Sequence, residues 1–161
     1  MLEHSLRHVD DTFLESAPIV VHAEVDLDGS PEAVWRVLES DRMWSWFPGI
    51  DRLAWVSPRP LTQGCIRTLR VARLLEVEEE FYRWDENRRA TFRVTRASSP
   101  LLSALVEDFL LTERGSRTRL TWTMAIEPKH GKTLPLGPLG ALLRPGNTHM
   151  LEGIRGLVGR V

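Results

Sequence analysis

The run Ser30-Pro31-Glu32-Ala33-Val34-Trp35-Arg36-Val37-Leu38-Glu39-Ser40-Asp41, followed at once by Trp44-Ser45-Trp46-Phe47-Pro48-Gly49-Ile50, limits the folds open to this chain more than any other feature. Ser followed by Pro is a helix start, because Ser caps free backbone N–H groups and Pro has no N–H to leave unpaired. Val34, Val37 and Leu38 then share one face, with Trp35 at its edge. Such a face must lie against something apolar. Just upstream, residues 19–27 alternate Val21, Ala23, Val25 and Leu27 with His22, Glu24 and Asp26, the pattern of a strand with one buried side. A half-buried strand feeding an amphipathic helix predicts that the helix packs on a sheet.

The rest of the chain supplies that sheet. Alternating runs predict strands over residues 51–56, 65–71, 74–84, 88–95, 104–113 and 118–127, with hairpin turns at Asp85-Glu86-Asn87 and Arg114-Gly115-Ser116. A second short helix is expected over residues 42–47, stopped by Pro48-Gly49. After a Gly- and Pro-rich stretch, a mostly helical segment is expected over residues 147–161, where Asn147, Leu151, Ile154, Val158 and Val161 share a face flanked by Met150 and Leu157. Pro145 and Gly146 break any longer helix. The fold class is therefore α+β, a meander of about seven antiparallel strands with two short helices between the first and second. Residues 1–17, with scattered apolar groups among His4, His8, Asp10 and Asp11, are expected to be an arm, either frayed or packed outside. Residues 18–161 are expected to form a single domain.

Composition removes several classes of function. With 42% hydrophobic and 27% charged residues the chain is neither disordered nor membrane-spanning in type, and no apolar run is long enough to cross a bilayer. Its 21 basic and 22 acidic residues leave a net charge of -1, with arginines dispersed, so no nucleic-acid footprint is expected. Cys65 has no partner for an intrachain disulfide and reads as a small core residue. No spacing of Cys, His or carboxylates suggests a metal site, and phosphate-loop, dinucleotide and nucleophile-elbow motifs are missing, so no cofactor is expected. The start lacks a basic end followed by an apolar core, which points to the cytoplasm.

Ser30, Pro31, Glu32, Val34, Trp35, Leu38 and Asp41, then Trp46, Pro48 and Gly49, match a helix and turn pattern of a known group. The likeness continues through residues 76–85, 88–94 and 115–123, and covers roughly residues 18–161. In these features the chain resembles the polyketide cyclase/dehydrase-like (SRPBCC) group of the START/Bet v 1 superfamily. The resemblance implies a helix-grip fold, a curved antiparallel sheet around a long C-terminal helix, with an internal cavity. The Gly-rich loop of the plant allergen branch is replaced by Ser57-Pro58-Arg59-Pro60-Leu61-Thr62-Gln63-Gly64.

Polar groups in register with the apolar side of a strand are the candidates for chemistry. Glu79 shares its side with Leu75, Val77 and Phe81, whereas Glu76, Glu78, Glu80, Tyr82 and Trp84 alternate to the other. It also matches the family's acid five residues before a Trp. A carboxyl group in apolar surroundings keeps its proton to higher pH and suits acid/base work; the other reading pairs it with Arg67, Arg83 or Arg96. Asp108 is a weaker catalytic candidate, because both sides of its strand are apolar, and it reads first as solvated. Candidate ligand contacts are Val77, Phe81, Phe92, Val94, Trp122, Met124, Asn147, Met150, Leu151 and Ile154, each of which also suits a core. Gly153, Gly156 and Gly159 suit either close packing of the last helix or room for a ligand. His22, His130 and His149 read as surface residues, and residues 131–147 as a gate or a plug over the cavity.

Three functions follow in order. The first is binding or transport of a small hydrophobic molecule, such as a lipid, a polyketide-like aromatic or a quinone, without stable membrane insertion. The second is a polyketide cyclase or dehydratase-like enzyme in which Glu79 handles protons. The third is a protein-interaction module using an exposed patch of Trp44, Trp46 and Trp55, with no particular partner indicated.

Overall fold

Ser30 is extended and its hydroxyl accepts from the Ala33 N–H, so helix α2 (Pro31–Leu38) begins where the sequence predicts. Val34, Trp35, Val37 and Leu38 are all buried, which stabilises the contact by about 1.5–3 kcal/mol per side chain. The structure is a computed structural model that describes residues 2–129 and 146–160. His130, residues 131–145 of the expected gate or plug, and Val161 lie outside the described residues.

The sheet against which α2 packs contains β2 (Ile19–Asp28), β3 (Ile50–Trp55), β4 (Ile66–Val71), β5 (Leu75–Asp85), β6 (Arg89–Ala97), β7 (Leu102–Arg114) and β8 (Arg117–Pro128). Its order is β2-β8-β7-β6-β5-β4-β3, with every neighbouring pair antiparallel. The fold is thus a curled antiparallel half-barrel with few helices, and the expected strands appear within a residue or two of their predicted ends. Asn87 (φ 61°) and Gly115 (φ 65°) supply the left-handed backbone that the two predicted hairpin turns require.

One large core fills the concave side. It joins Val34, Trp35, Val37 and Leu38 of α2 to Val25 and Leu27 of β2, Phe81, Phe92 and Phe109 from the middle strands, and Leu151 and Ile154 from the C-terminal segment. A second, smaller core lies on the convex side. There Val9, Phe13 and Leu14 cover Ala104, Val106 and Ala125. Residues 2–17 are therefore ordered along the sheet: β1 (His4–Ser5) pairs with Arg96 and Ala97 of β6, and the short helix α1 (Phe13–Ser16) contributes Phe13 and Leu14. Asp11 accepts from the Tyr82 hydroxyl at 2.9 Å and from Arg83, tying the arm to β5.

The structure departs from expectation at three elements. Residues 41–46 form successive turns rather than a helix, with the Ser45 and Phe47 N–H groups bonded to the carbonyls of Arg42 and Trp44, three residues back. The C-terminal segment is α-helical over residues 146–152, here called α3, and continues as a 3-10 turn, Gly153–Gly156, in place of regular α-helix. Three glycines in seven residues explain the change, since each costs about 1 kcal/mol in a helix interior relative to Ala. Finally, Trp84 packs on the concave core with Trp35 and Phe81, at 5.0 and 5.4 Å between ring centroids. The register of β5 against β6 shifts between Glu80 and Arg83, and the extra residue of that bulge returns Trp84 to the side that simple alternation denies it.

Candidate functional site

Side chains from the concave faces of β4, β5, β7 and β8 meet α3 around a cavity of about 180 Å³. Trp44, Phe47, Trp122, Met124 and Met150 form apolar walls, and four polar residues, Arg67, Glu79, Glu107 and Asn147, also line it.

Strand pairing sets the polar row. Arg67 of β4 lies opposite Glu79 of β5, and a register shift between Glu78 and Glu79 bends the sheet beside it. Glu79 is 2% exposed and Arg67 1%, and the Arg67 Nε and Nη2 atoms both reach the Glu79 Oε2 atom at 2.6 Å. The guanidinium is boxed by rings, at 4.9 Å from Phe81, 5.1 Å from Phe92 and 5.3 Å from Trp55. Ring faces attract a cation, so the charge is held by both the carboxylate and the aromatic walls. Of the three arginines that the sequence offers as partners for Glu79, Arg67 is the one in contact. Arg83 instead binds Asp11, and Arg96 donates to the Leu2 carbonyl.

Glu107 is a site residue that the sequence reading does not single out. It sits on β7 opposite Phe92 and Met124 and faces the cavity. The Trp122 indole N–H donates to its Oε2 atom at 2.8 Å. Burial, and then the nearby Glu79 charge, push its pKa up to about 8, against the smaller opposing effects of the Trp122 bond and Arg67. The raised pKa favours the protonated carboxyl at neutral pH. Oε2 takes the indole bond, which leaves Oε1 as the oxygen able to carry that proton.

Asp108, the neighbouring residue, points to the convex side. It is buried at 5% exposure, not solvated, and accepts from Thr91 Oγ1 at 2.6 Å and Arg89 Nε at 2.8 Å. Those bonds satisfy it within the sheet and keep it out of the cavity. Among the proposed ligand contacts, Trp122, Met124, Asn147 and Met150 line the cavity, whereas Val77, Phe81, Phe92, Val94, Leu151 and Ile154 belong to the packed core. Phe81, Phe92, Phe109 and Trp122 form a continuous series of ring contacts at 4.6, 5.5 and 5.9 Å, leaving no space between them. Trp44 is buried, while Trp46 and Trp55 are half-buried against the core, so they do not make the exposed patch of the third expectation.

The glycines separate into different roles. A Cβ on Gly153 would stand 1.9 Å from the Trp46 ring, so that glycine allows close packing, whereas Gly156 has nothing within 4 Å. Gly159 (φ 79°) takes the left-handed backbone in the turn that follows the 3-10 segment. Cys65 is buried, and desolvation pushes its thiol up to about 11, which fits an inert core residue. Among the described residues no three metal-ligating side chains cluster, and no helix is long and apolar enough to cross a membrane.

Comparison with known proteins agrees with the geometry. The family described as "Polyketide cyclase / dehydrase and lipid transport" matches residues 18–158. An uncharacterized protein of Mycobacterium tuberculosis is 33% identical over 115 residues, covering 71% of this chain and 69% of the relative. A START superfamily protein of Mycobacterium smegmatis superposes with a TM-score of 0.71 at 16% identity, over 88% of this chain and 97% of the other. A protein of Thermus thermophilus gives a TM-score of 0.64 at 20% identity, over 86% and 96%. The two solved structures establish the START-like fold, and the family match extends over most of the sequence. This chain therefore belongs to the polyketide cyclase/dehydrase and lipid-transport family, a ligand-binding group built on the SRPBCC fold.

Proposed function

We propose that the protein binds and carries a small, largely apolar molecule in the cavity between the sheet and α3. The observation that carries this reading is an aromatic-walled space to which a buried polar cluster has access. Its volume, about 180 Å³, exceeds the roughly 150 Å³ of an apolar cavity that takes up benzene, so a ring-sized body fits. Trp44, Phe47 and Trp122 offer flat surfaces that favour a polyketide-like aromatic or a quinone over a long acyl chain. Native mass spectrometry of protein purified from its own host, followed by extraction of bound compounds, tests the reading. A near-stoichiometric apolar compound supports carriage. A protein that arrives empty and gains no ligand from aromatic or lipid extracts of that host would sink it.

A second reading is acid/base chemistry of the cyclase or dehydratase kind, favoured by the upward shift of the Glu107 carboxyl in the cavity wall. Glu79, engaged by two nitrogens of Arg67, serves better as an anchor than as a proton carrier. In the enzyme reading Glu107 donates the proton, and Glu107→Gln stops turnover of a bound polyketone while leaving its affinity nearly unchanged. Equal turnover by the variant would remove this reading and leave carriage standing.

A further inference from the structure

One lining group of the cavity has a hydrogen-bonding capacity that the protein does not use. Asn147 is only 7% exposed, yet its Nδ2 atom finds no hydrogen-bond partner among the described residues. A buried donor left without an acceptor is destabilising, because its hydrogen bond to water is lost and not replaced. The other buried donors in this condition are the indole N–H groups of Trp35, Trp46 and Trp55, each set among neighbouring rings. Asn147 alone among the four faces the cavity.

We propose that Asn147 and Glu107 together form a two-donor site for the head of the ligand, selecting a neutral hydrogen-bond acceptor such as a ketone or quinone carbonyl and turning away a carboxylate. This rests on the cavity being the binding site. Both side chains line the same space, Asn147 from α3 and Glu107 from β7. Asn147 brings an unused N–H. Glu107 in its protonated form brings an O–H, with Oε2 already accepting from Trp122. A carbonyl oxygen has two lone pairs and accepts from both.

A carboxylate meets the opposite conditions. The cation lining the cavity is Arg67, whose Nε and Nη2 are already on Glu79. Entry of a second carboxylate therefore places an anion near Glu79, whose charge already offsets that of Arg67; the remaining Arg67 nitrogen, Nη1, meets the Met43 sulfur, and among the described residues no second cation lines the cavity, so the anion is buried at high cost. Among the described residues the charged or titratable groups facing Glu107 are Glu79 of β5 and Arg67 of β4, with the neutral Trp122 donor of β8 beside it. Loss of the Glu107 proton above about pH 8 turns one donor into an acceptor and adds a negative charge. Carbonyl binding then weakens as pH rises through that value.

Three single-ring probes of similar size, acetophenone, benzoate and ethylbenzene, separate the possibilities when titrated into the full chain and followed by NMR chemical shifts. At about pH 6.5 acetophenone is expected to bind at least about tenfold more tightly than benzoate. Asn147→Leu is expected to reduce acetophenone affinity about fivefold or more while leaving ethylbenzene affinity equal or improved, which also verifies that the variant folds. Glu107→Gln, which retains an N–H donor, should keep the acetophenone preference and remove its decline above pH 8. Benzoate binding as tightly as acetophenone overturns the head-site proposal, as does equal weakening of acetophenone and ethylbenzene by Asn147→Leu. If none of the three binds, the cavity reading itself falls, and this proposal with it.

Discussion

At position 107 a buried carboxyl group accepts from the Trp122 indole N–H with Glu79 close by, and its titration is linked to the stability of the fold. The folded protein raises the group from its ordinary 4.5 to about 8. Because the folded form binds the proton more tightly than the unfolded chain, this contribution is complete below about pH 4.5, declines as pH rises, and is lost above about 8. Glu107→Gln should therefore flatten the fall in stability between those limits, as read by urea denaturation across pH. At Arg67 the expectation is a large loss: Arg67→Met leaves Glu79 buried without its cation and lowers stability by about 3–5 kcal/mol. The double replacement Arg67→Met with Glu79→Leu should recover most of it in the same assay. The inward register of Glu79 is legible because β5 alternates cleanly up to Phe81. Glu107 is hidden because β7 is apolar on both sides, and alternation says which residues share a side but not which side faces the cavity. Its bond to Trp122, fifteen residues away, has no local signal at all.

Elements are legible where one residue period runs unbroken. α2 carries its cap, its first-turn Pro and a four-residue apolar face within one short stretch, so every local preference agrees with the observed packing. β5 departs at a bulge, which adds one residue and cannot be placed from alternation alone. The turns at residues 41–46 set Trp44 and Trp46 against the core, and the segment after α3 carries three glycines that weaken a helix; in neither place does the apolar period alone decide the backbone. Gly153 gives the sharpest test. Gly153→Ala forces the new methyl into the Trp46 ring and should cost about 1–3 kcal/mol, whereas Gly156→Ala, with open space around it, should be neutral or stabilising by up to about 1 kcal/mol. Thermal melting of the two variants side by side distinguishes a packing glycine from a spare one.

Across the whole molecule the sheet is covered on both faces, by α2 and the C-terminal segment within its curve and by residues 2–17 over part of its back. That back cover explains why β7 reads as apolar on both sides: Leu105, Phe109 and Leu111 enter the concave core, while Ala104 and Val106 meet the arm. The two cores are expected to respond independently. Phe13→Ala should lower stability by about 3 kcal/mol through the convex core and leave ligand affinity at the cavity unchanged, as measured by denaturation and probe titration. The curled meander follows from successive alternating runs, but the arm's place behind the sheet depends on contacts such as Tyr82 with Asp11, 71 positions apart.

The polar lining of the cavity is assembled from β4, β5, β7 and α3, and only Arg67 and Glu79 come from strands that are paired with each other. A chain that has closed only part of its sheet consequently has no complete binding site to offer. Occupancy and completion of the fold become one equilibrium, so a true ligand acts as a thermal stabiliser of the entire chain. At a hundredfold excess over its dissociation constant it adds about 2.7 kcal/mol, an upward shift in melting temperature of roughly 5–10 °C for a protein of this size. A melting screen of candidate compounds can thus find the occupant without knowing in advance what reaction, if any, follows binding.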